Sequence, residues 1–91
     1  MAKLVSIIQN DMSYCIECGA PGTDTHHCVF GSNRMNADRF RLTVRLCRAC
    51  HRRLHDKDEA LAMKYRKMAQ KAFEESYSHE EWMKIFGRNY L

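Results

Sequence analysis

Leu46-Cys47-Arg48-Ala49-Cys50-His51-Arg52-Arg53-Leu54-His55 decides how this chain is read. Two cysteines with a two-residue spacer run directly into histidines at i and i+4. Upstream, Cys15-Ile16-Glu17-Cys18-Gly19 repeats the Cys-x-x-Cys spacing, with a glycine to close a tight turn. A two-residue spacer lets one turn offer two sulfurs to one ion, and two such turns fill a tetrahedral shell with no open position. Cys15, Cys18, Cys47 and Cys50 are therefore read as the ligands of a structural zinc. A redox Cys-x-x-Cys, or cysteines buried without a shared role, explains one pair but not two matched pairs in so short a chain. Cys28, the fifth cysteine, falls in a predicted strand and reads as a small buried hydrophobe.

Working outward, the 91 residues suffice for one domain and not two. We divide it into an N-terminal strand or arm (1–14), a zinc-bound core (15–57) and C-terminal helices (58–91). The stretch from Pro21 to Arg53 is poor in large apolar side chains beyond Phe30, Phe40, Leu42, Val44 and Leu46. Such a segment needs a metal or a disulfide to hold it. Leu4-Val5-Ser6-Ile7-Ile8 is too short for a secretory h-region, and no run reaches the length of a membrane span. The expectation is a reducing cytoplasm, where paired cysteines point to metal, and no membrane partner.

The formal charge is +4 with a pI near 8.9. Four zinc-bound thiolates and one zinc lower that charge by two, so any basic character acts locally. From Arg34 to Arg53 there are seven arginines against one acid, Asp38. A single-sign stretch of this kind is either a solvated face or a footprint for phosphate.

Lys3 to Gln9 is β-rich and reads as a short strand or extended arm. Thr25 to Phe30 reads as a strand, Gly31 to Asp38 as a polar loop. Phe40 to Leu46 alternates apolar residues with Arg41, Thr43 and Arg45, which predicts a half-buried strand with arginines on its open face. A helix is predicted from Arg48 to about Lys57 and helical structure again from Asp58 to about Tyr77, with Leu61, Tyr65, Met68, Ala72 and Phe73 as its apolar stripe. The pattern leaves open whether these are one helix or two. Ser78-His79-Glu80-Glu81 has capping-box spacing, and a last helix carrying Trp82, Ile85 and Phe86 should stop at Gly87. These aromatics read as core.

Four of the five histidines lie beside the cysteine framework. His26 and His27 are neighbours on a strand and so point to opposite faces. His51 and His55 share one helix face, a spacing that presents two imidazoles to one metal. A classical zinc finger with two cysteines and two histidines does not fit, because His51 follows Cys50 directly where a finger needs about a dozen intervening residues.

The ordered set Cys15-x-x-Cys18, His26-His27 and Leu46-Cys47-x-x-Cys50-His51 resembles zinc-containing HNH endonucleases of the ββα-metal fold. The likeness extends through His27-Cys28-Val29-Phe30-Gly31-Ser32-Asn33-Arg34, Leu42-Thr43-Val44 and Ile85-Phe86-Gly87-Arg88-Asn89-Tyr90-Leu91 to a small HNH family common in phages and prophages, some with recombination-related names. The resemblance implies an α+β domain stapled by a four-cysteine zinc site, with additional C-terminal helices. It implies metal-dependent hydrolysis of DNA phosphodiesters with little sequence preference, in phage DNA processing or recombination in a bacterial host. It makes His27 the general base and His26 and His51 metal ligands in the catalytic centre, with His55 a further ligand or phosphate contact. The motif's middle residue, usually asparagine, is Leu42 here, with Asn33 or Asn36 as substitutes.

Hydrolysis needs an activated water, charge stabilisation on phosphate and a protonated leaving oxygen. A neutral His27 can take a proton from water near neutral pH. A divalent cation, whether Mg²⁺, Mn²⁺, Ni²⁺ or Zn²⁺, would stabilise the leaving oxygen; imidazole ligands suit the transition ions better than magnesium. Arg34, Arg45, Arg48 and Arg52 are candidates for backbone phosphate contact. The alternatives are a non-catalytic zinc module that binds nucleic acid, and an interaction module whose C-terminal helices dock a partner. DNA against RNA, nick against double-strand break, and monomer against homodimer stay open at this level.

Overall fold

Strand β1 (Asp24–His27) pairs antiparallel with β2 (Thr43–Leu46), Asp24 opposite Leu46 and His27 opposite Thr43. The structure, a computed structural model, describes residues 5–91. Four helices accompany the sheet in the described chain: α1 (Arg34–Arg39), α2 (Arg48–Asp56), α3 (Glu59–Ser76) and α4 (His79–Phe86). The class is α+β, as the sequence leads one to expect.

The polar segment 31–38 is not a loop. Gly31–Asn33 forms a 3-10 turn that leads into α1. Ala37 is the one buried residue of α1, so the helix has no apolar stripe for a periodicity to reveal. Contacts from elsewhere hold it: the Leu42 N–H donates to Ala37 O at 2.8 Å, and Asn33 Nδ2 donates to Phe86 O at 3.2 Å. Phe40 closes this helix instead of starting a strand, and Arg41 reverses the chain at φ 59°. Strand β2 therefore begins only at Thr43. Leu42, Val44 and Leu46 are fully buried, as the alternation predicts, but Thr43 is buried too.

The N-terminal segment departs from expectation for a related reason. Lys3 and Leu4 lie outside the described residues, and Val5 to Gln9 forms no strand. It runs beside β2 and satisfies that edge mostly with side chains. Ser6 Oγ donates to Thr43 O, and the Arg45 N–H donates to Gln9 Oε1 at 2.7 Å. Gln9 Nε2 in turn donates to Asp11 O and Tyr14 O, and Gln9 is buried. A covered edge does not template further pairing.

Two helices, not one, follow β2. Asp58 caps α3 by accepting from the Leu61 N–H at 2.9 Å, which separates it from α2. The buried face of α3 is Leu61, Ala62, Tyr65, Ala69, Gln70 and Phe73, with Met68 only half-buried at its margin. Helix α4 starts and stops where the sequence signals: Ser78 Oγ accepts from the Glu81 N–H, and Gly87 sits at φ 76°. Trp82 stacks on Phe86 with centroids 4.1 Å apart and meets Phe73 edge-on at 5.5 Å. Gln70 pins the C-terminal tail through Asn89 Oδ1 at 2.8 Å and the Tyr90 N–H at 2.7 Å. The C-terminal helices are thus part of one core. No described helix is long and apolar enough to cross a membrane.

Candidate metal centres

The first knuckle is a backbone device. Gly19, at φ 81°, lets its N–H return to Cys15 O at 2.8 Å, while the Cys15 N–H reaches Ala20 O. The second knuckle runs straight into α2: Cys47 is the helix cap, and its Sγ accepts from the Cys50 N–H at 3.5 Å. Helix N-termini favour anionic sulfur. The sulfurs of Cys15, Cys18, Cys47 and Cys50 come within 4.8 Å of one another, and none is in a disulfide. Cys18 Sγ and Cys47 Sγ lie 3.7 Å apart. A tetrahedron with zinc–sulfur bonds of about 2.3 Å has edges of roughly 3.8 Å. The four sulfurs therefore fit a metal ion in spacing as well as in kind. Their protons divide unevenly. Burial pushes the Cys15 thiol up, but backbone N–H groups of Cys47, Cys18 and Glu17 outweigh it and bring it down to about 6. Cys50 is pushed up to about 12, by burial first and then by its sulfur neighbours. Cys28 stays apart, fully buried in the core, and burial raises its thiol.

The second group gathers around α2. His26, His51 and His55 each bring a ring nitrogen within 4.8 Å of the others. His26 and Asp24 share the inward face of β1, by the two-residue period of a strand, and His51 and His55 share a face of α2. His26 is 1% exposed, and its Nε2 is buried without a partner. An unpaired buried polar atom is costly unless something occupies its lone pair. Burial, then the neighbouring His51 and His55, depresses the His26 imidazole to about 3, so it is neutral and free to donate that lone pair. His55 is depressed for the same two reasons. His51 Nε2 and His55 Nε2 face each other at 3.2 Å. Two imidazole nitrogens on one tetrahedral ion, with bonds of about 2.05 Å, would stand roughly 3.3 Å apart. The residues present thus fit a divalent cation, and all three donors are of the kind transition ions prefer.

Asp24, which no motif in the sequence singles out, orients this cluster. Its Oδ2 accepts from His51 Nδ1 at 2.9 Å, which directs the opposite nitrogen toward His55. Hydrogen bonding from His51 is the main reason the Asp24 carboxyl is held down to about 2. Arg48, itself exposed, adds a contact to Asp24 at 3.2 Å. The sequence did hold a signal: a carboxylate two residues before His26 lies on the same strand face.

His27 is partly exposed where its neighbour His26 is buried. It lines a cavity of about 300 Å³ together with Thr25, His26, Phe30, Arg34, His51 and His55. It also borders an adjoining groove of about 440 Å³ with Arg34, Met35, Asp38 and Arg39. His27 Nε2 lies 3.3 Å from Asp38 Oδ1. Neither expected substitute for the missing asparagine partners it: Asn36 donates to Asn33, and Asn33 donates to Phe86 O. Leu42 is fully buried among core residues. Among the candidate arginines, Arg34 lines both cavities and Arg52 is exposed. Arg45 is half-buried, bonded to Thr25 Oγ1 at 2.7 Å and packed where any side chain on Gly22 would collide with it.

Comparison with known protein families, with curated proteins and with solved structures finds no match for this chain.

Proposed function

We propose that this chain is a metal-dependent endonuclease of the HNH type, hydrolysing DNA phosphodiesters with little sequence preference. The observation that carries the reading is the convergence of His26, His51 and His55 beside His27 in one cavity rimmed by Arg34. The order β1, β2, α2, with a cysteine knuckle fixing the start of the helix, is what a ββα-metal core requires. In this reading His26, His51 and His55 would hold the catalytic cation, and Asp24 fixes the His51 ring. A divalent cation at that place supplies charge stabilisation for the phosphate and for the leaving 3′-oxygen. His27 accepts the proton of the attacking water. Arg34, with Arg48 and Arg52 further out, takes neighbouring phosphates, contacts that position the strand without reading its sequence. The structural zinc belongs to the four cysteines.

The test is conversion of supercoiled plasmid by metal-stripped, zinc-reconstituted protein given Mg²⁺, Mn²⁺, Ni²⁺ or Ca²⁺ in turn, beside His27→Ala. Open-circle DNA from the parent and not from the variant supports the nuclease and its base. One observation favours a second reading. Leu42 stands buried where HNH enzymes carry asparagine, as it would in a zinc module that binds nucleic acid without cutting it. DNA that is retarded but intact with every metal selects that reading and removes the catalytic roles.

A further inference from the structure

A general base needs a second group to hold its ring and fix its tautomer. The motif position that should supply one is Leu42, and the expected substitutes, Asn33 and Asn36, are bonded elsewhere. One polar side chain does reach the ring. Asp38, on the last turn of α1, places Oδ1 3.3 Å from His27 Nε2. That carboxylate has no other side-chain partner among the described residues, and it is 74% exposed while the histidine is only 16% exposed. Asp38 is also the lone acid among the seven arginines from Arg34 to Arg53. It borders the groove in which Arg34 and Arg39 would meet phosphate, where a negative charge opposes DNA binding. A residue whose charge works against the substrate, yet which contacts the base, calls for a role at the base.

We propose that Asp38 is the positioning residue for His27. This inference rests on the nuclease reading. The carboxylate accepts the Nε2–H, which leaves the Nδ1 lone pair as the site that receives a proton from water. Helix α1, which no periodicity in the sequence announces, is then the element that replaces the missing asparagine: it carries the orienting group on its own last turn.

The test separates rate from binding. Asp38→Ala is made in the full chain, with zinc content and circular dichroism checked against the parent. Alanine favours the helix, and among the described residues the lost side chain has no side-chain partner but His27. Cleavage of a short duplex is followed at saturating DNA, and affinity is measured separately with Ca²⁺ by fluorescence anisotropy. We expect the saturating rate to fall at least tenfold while the DNA Kd stays equal or tightens, because a charge that repels phosphate has gone. Asp38→Asn, whose exposed amide can turn its carbonyl to the Nε2–H, should recover part of the rate. A variant Asp38→Ala that cuts at the parental rate or faster overturns the proposal, and so does a weaker Kd with an unchanged saturating rate. A parent protein that cuts nothing overturns the nuclease reading itself, a result distinct from an active parent indifferent to Asp38.

Discussion

Replacing Asp24 by asparagine removes the charge that fixes His51 while leaving a side chain of nearly the same shape. The bond lost in strength is the 2.9 Å contact between Asp24 Oδ2 and His51 Nδ1. A hydrogen bond to a charged group contributes about 1.5–3 kcal/mol. At about 1.4 kcal/mol per tenfold, that corresponds to a loss of roughly 10- to 150-fold in affinity at the histidine cluster. Outer partners of metal-bound histidines typically contribute about 10- to 100-fold, so the two ranges agree. The assay is calorimetric titration of Ni²⁺ or Co²⁺ into protein whose four cysteines already hold zinc, comparing parent, Asp24→Asn and Arg48→Ala. Arg48 also touches Asp24, but its side chain is 74% exposed, so Arg48→Ala should change affinity by no more than about fivefold, as exposed ion pairs contribute only about 0–1 kcal/mol. Equal affinity for parent and Asp24→Asn would refute the assignment of Asp24 as the group that orients His51. A parent that binds no second ion would remove the histidine centre altogether.

Stripping the ion from the four cysteines with a strong chelator should unfold the chain, because structural zinc contributes about 10–16 kcal/mol in small domains against a net stability of about 5–15 kcal/mol; loss of amide chemical-shift dispersion, restored by one zinc equivalent, checks this. Phe73→Ala removes a fully buried ring packed on Trp82, Phe86 and Phe40 and should cost about 3–5 kcal/mol in chemical denaturation. The pH dependence has a definite sign. His26 is depressed to about 3 in the folded chain from an ordinary value of 6.5. Below pH 6.5 the unfolded chain takes up a proton that the folded one refuses, so stability is lost as pH falls from 6.5 toward 3, at up to about 1.4 kcal/mol per unit. With zinc on the cysteines and no second ion added, His26→Gln should lose that slope as pH falls below about 6.5; an unchanged slope would show that another group carries it.

The local signals in this sequence proved reliable where a few adjacent residues suffice. Two-residue spacing sets each cysteine pair, and the helical i, i+4 spacing joins His51 to His55. Ser78, Glu81 and Gly87 likewise bound α4 by chemistry within one turn. These are short-range constraints, fixed by backbone geometry, and they survive any tertiary arrangement. That the two knuckles could share one ion was also legible, because four soft ligands in two like turns have few other uses.

What the sequence left undecided depended on residues far apart along the chain. Helix α1 has one buried side chain and is held by Leu42 and Phe86, so no local periodicity announces it. The arm at Ser6 and Gln9 reads as a strand by composition but lies beside β2 through side chains, because those groups satisfy its edge from outside the ladder. Asp24 meets His51 across 27 positions and Asp38 meets His27 across 11, distances over which only folding can choose a partner. Spacing in the sequence therefore determined which atoms could bind an ion. The tertiary structure decided which carboxylates would aim them, since a hydrogen bond of about 3 Å is a property of packed elements and not of a motif.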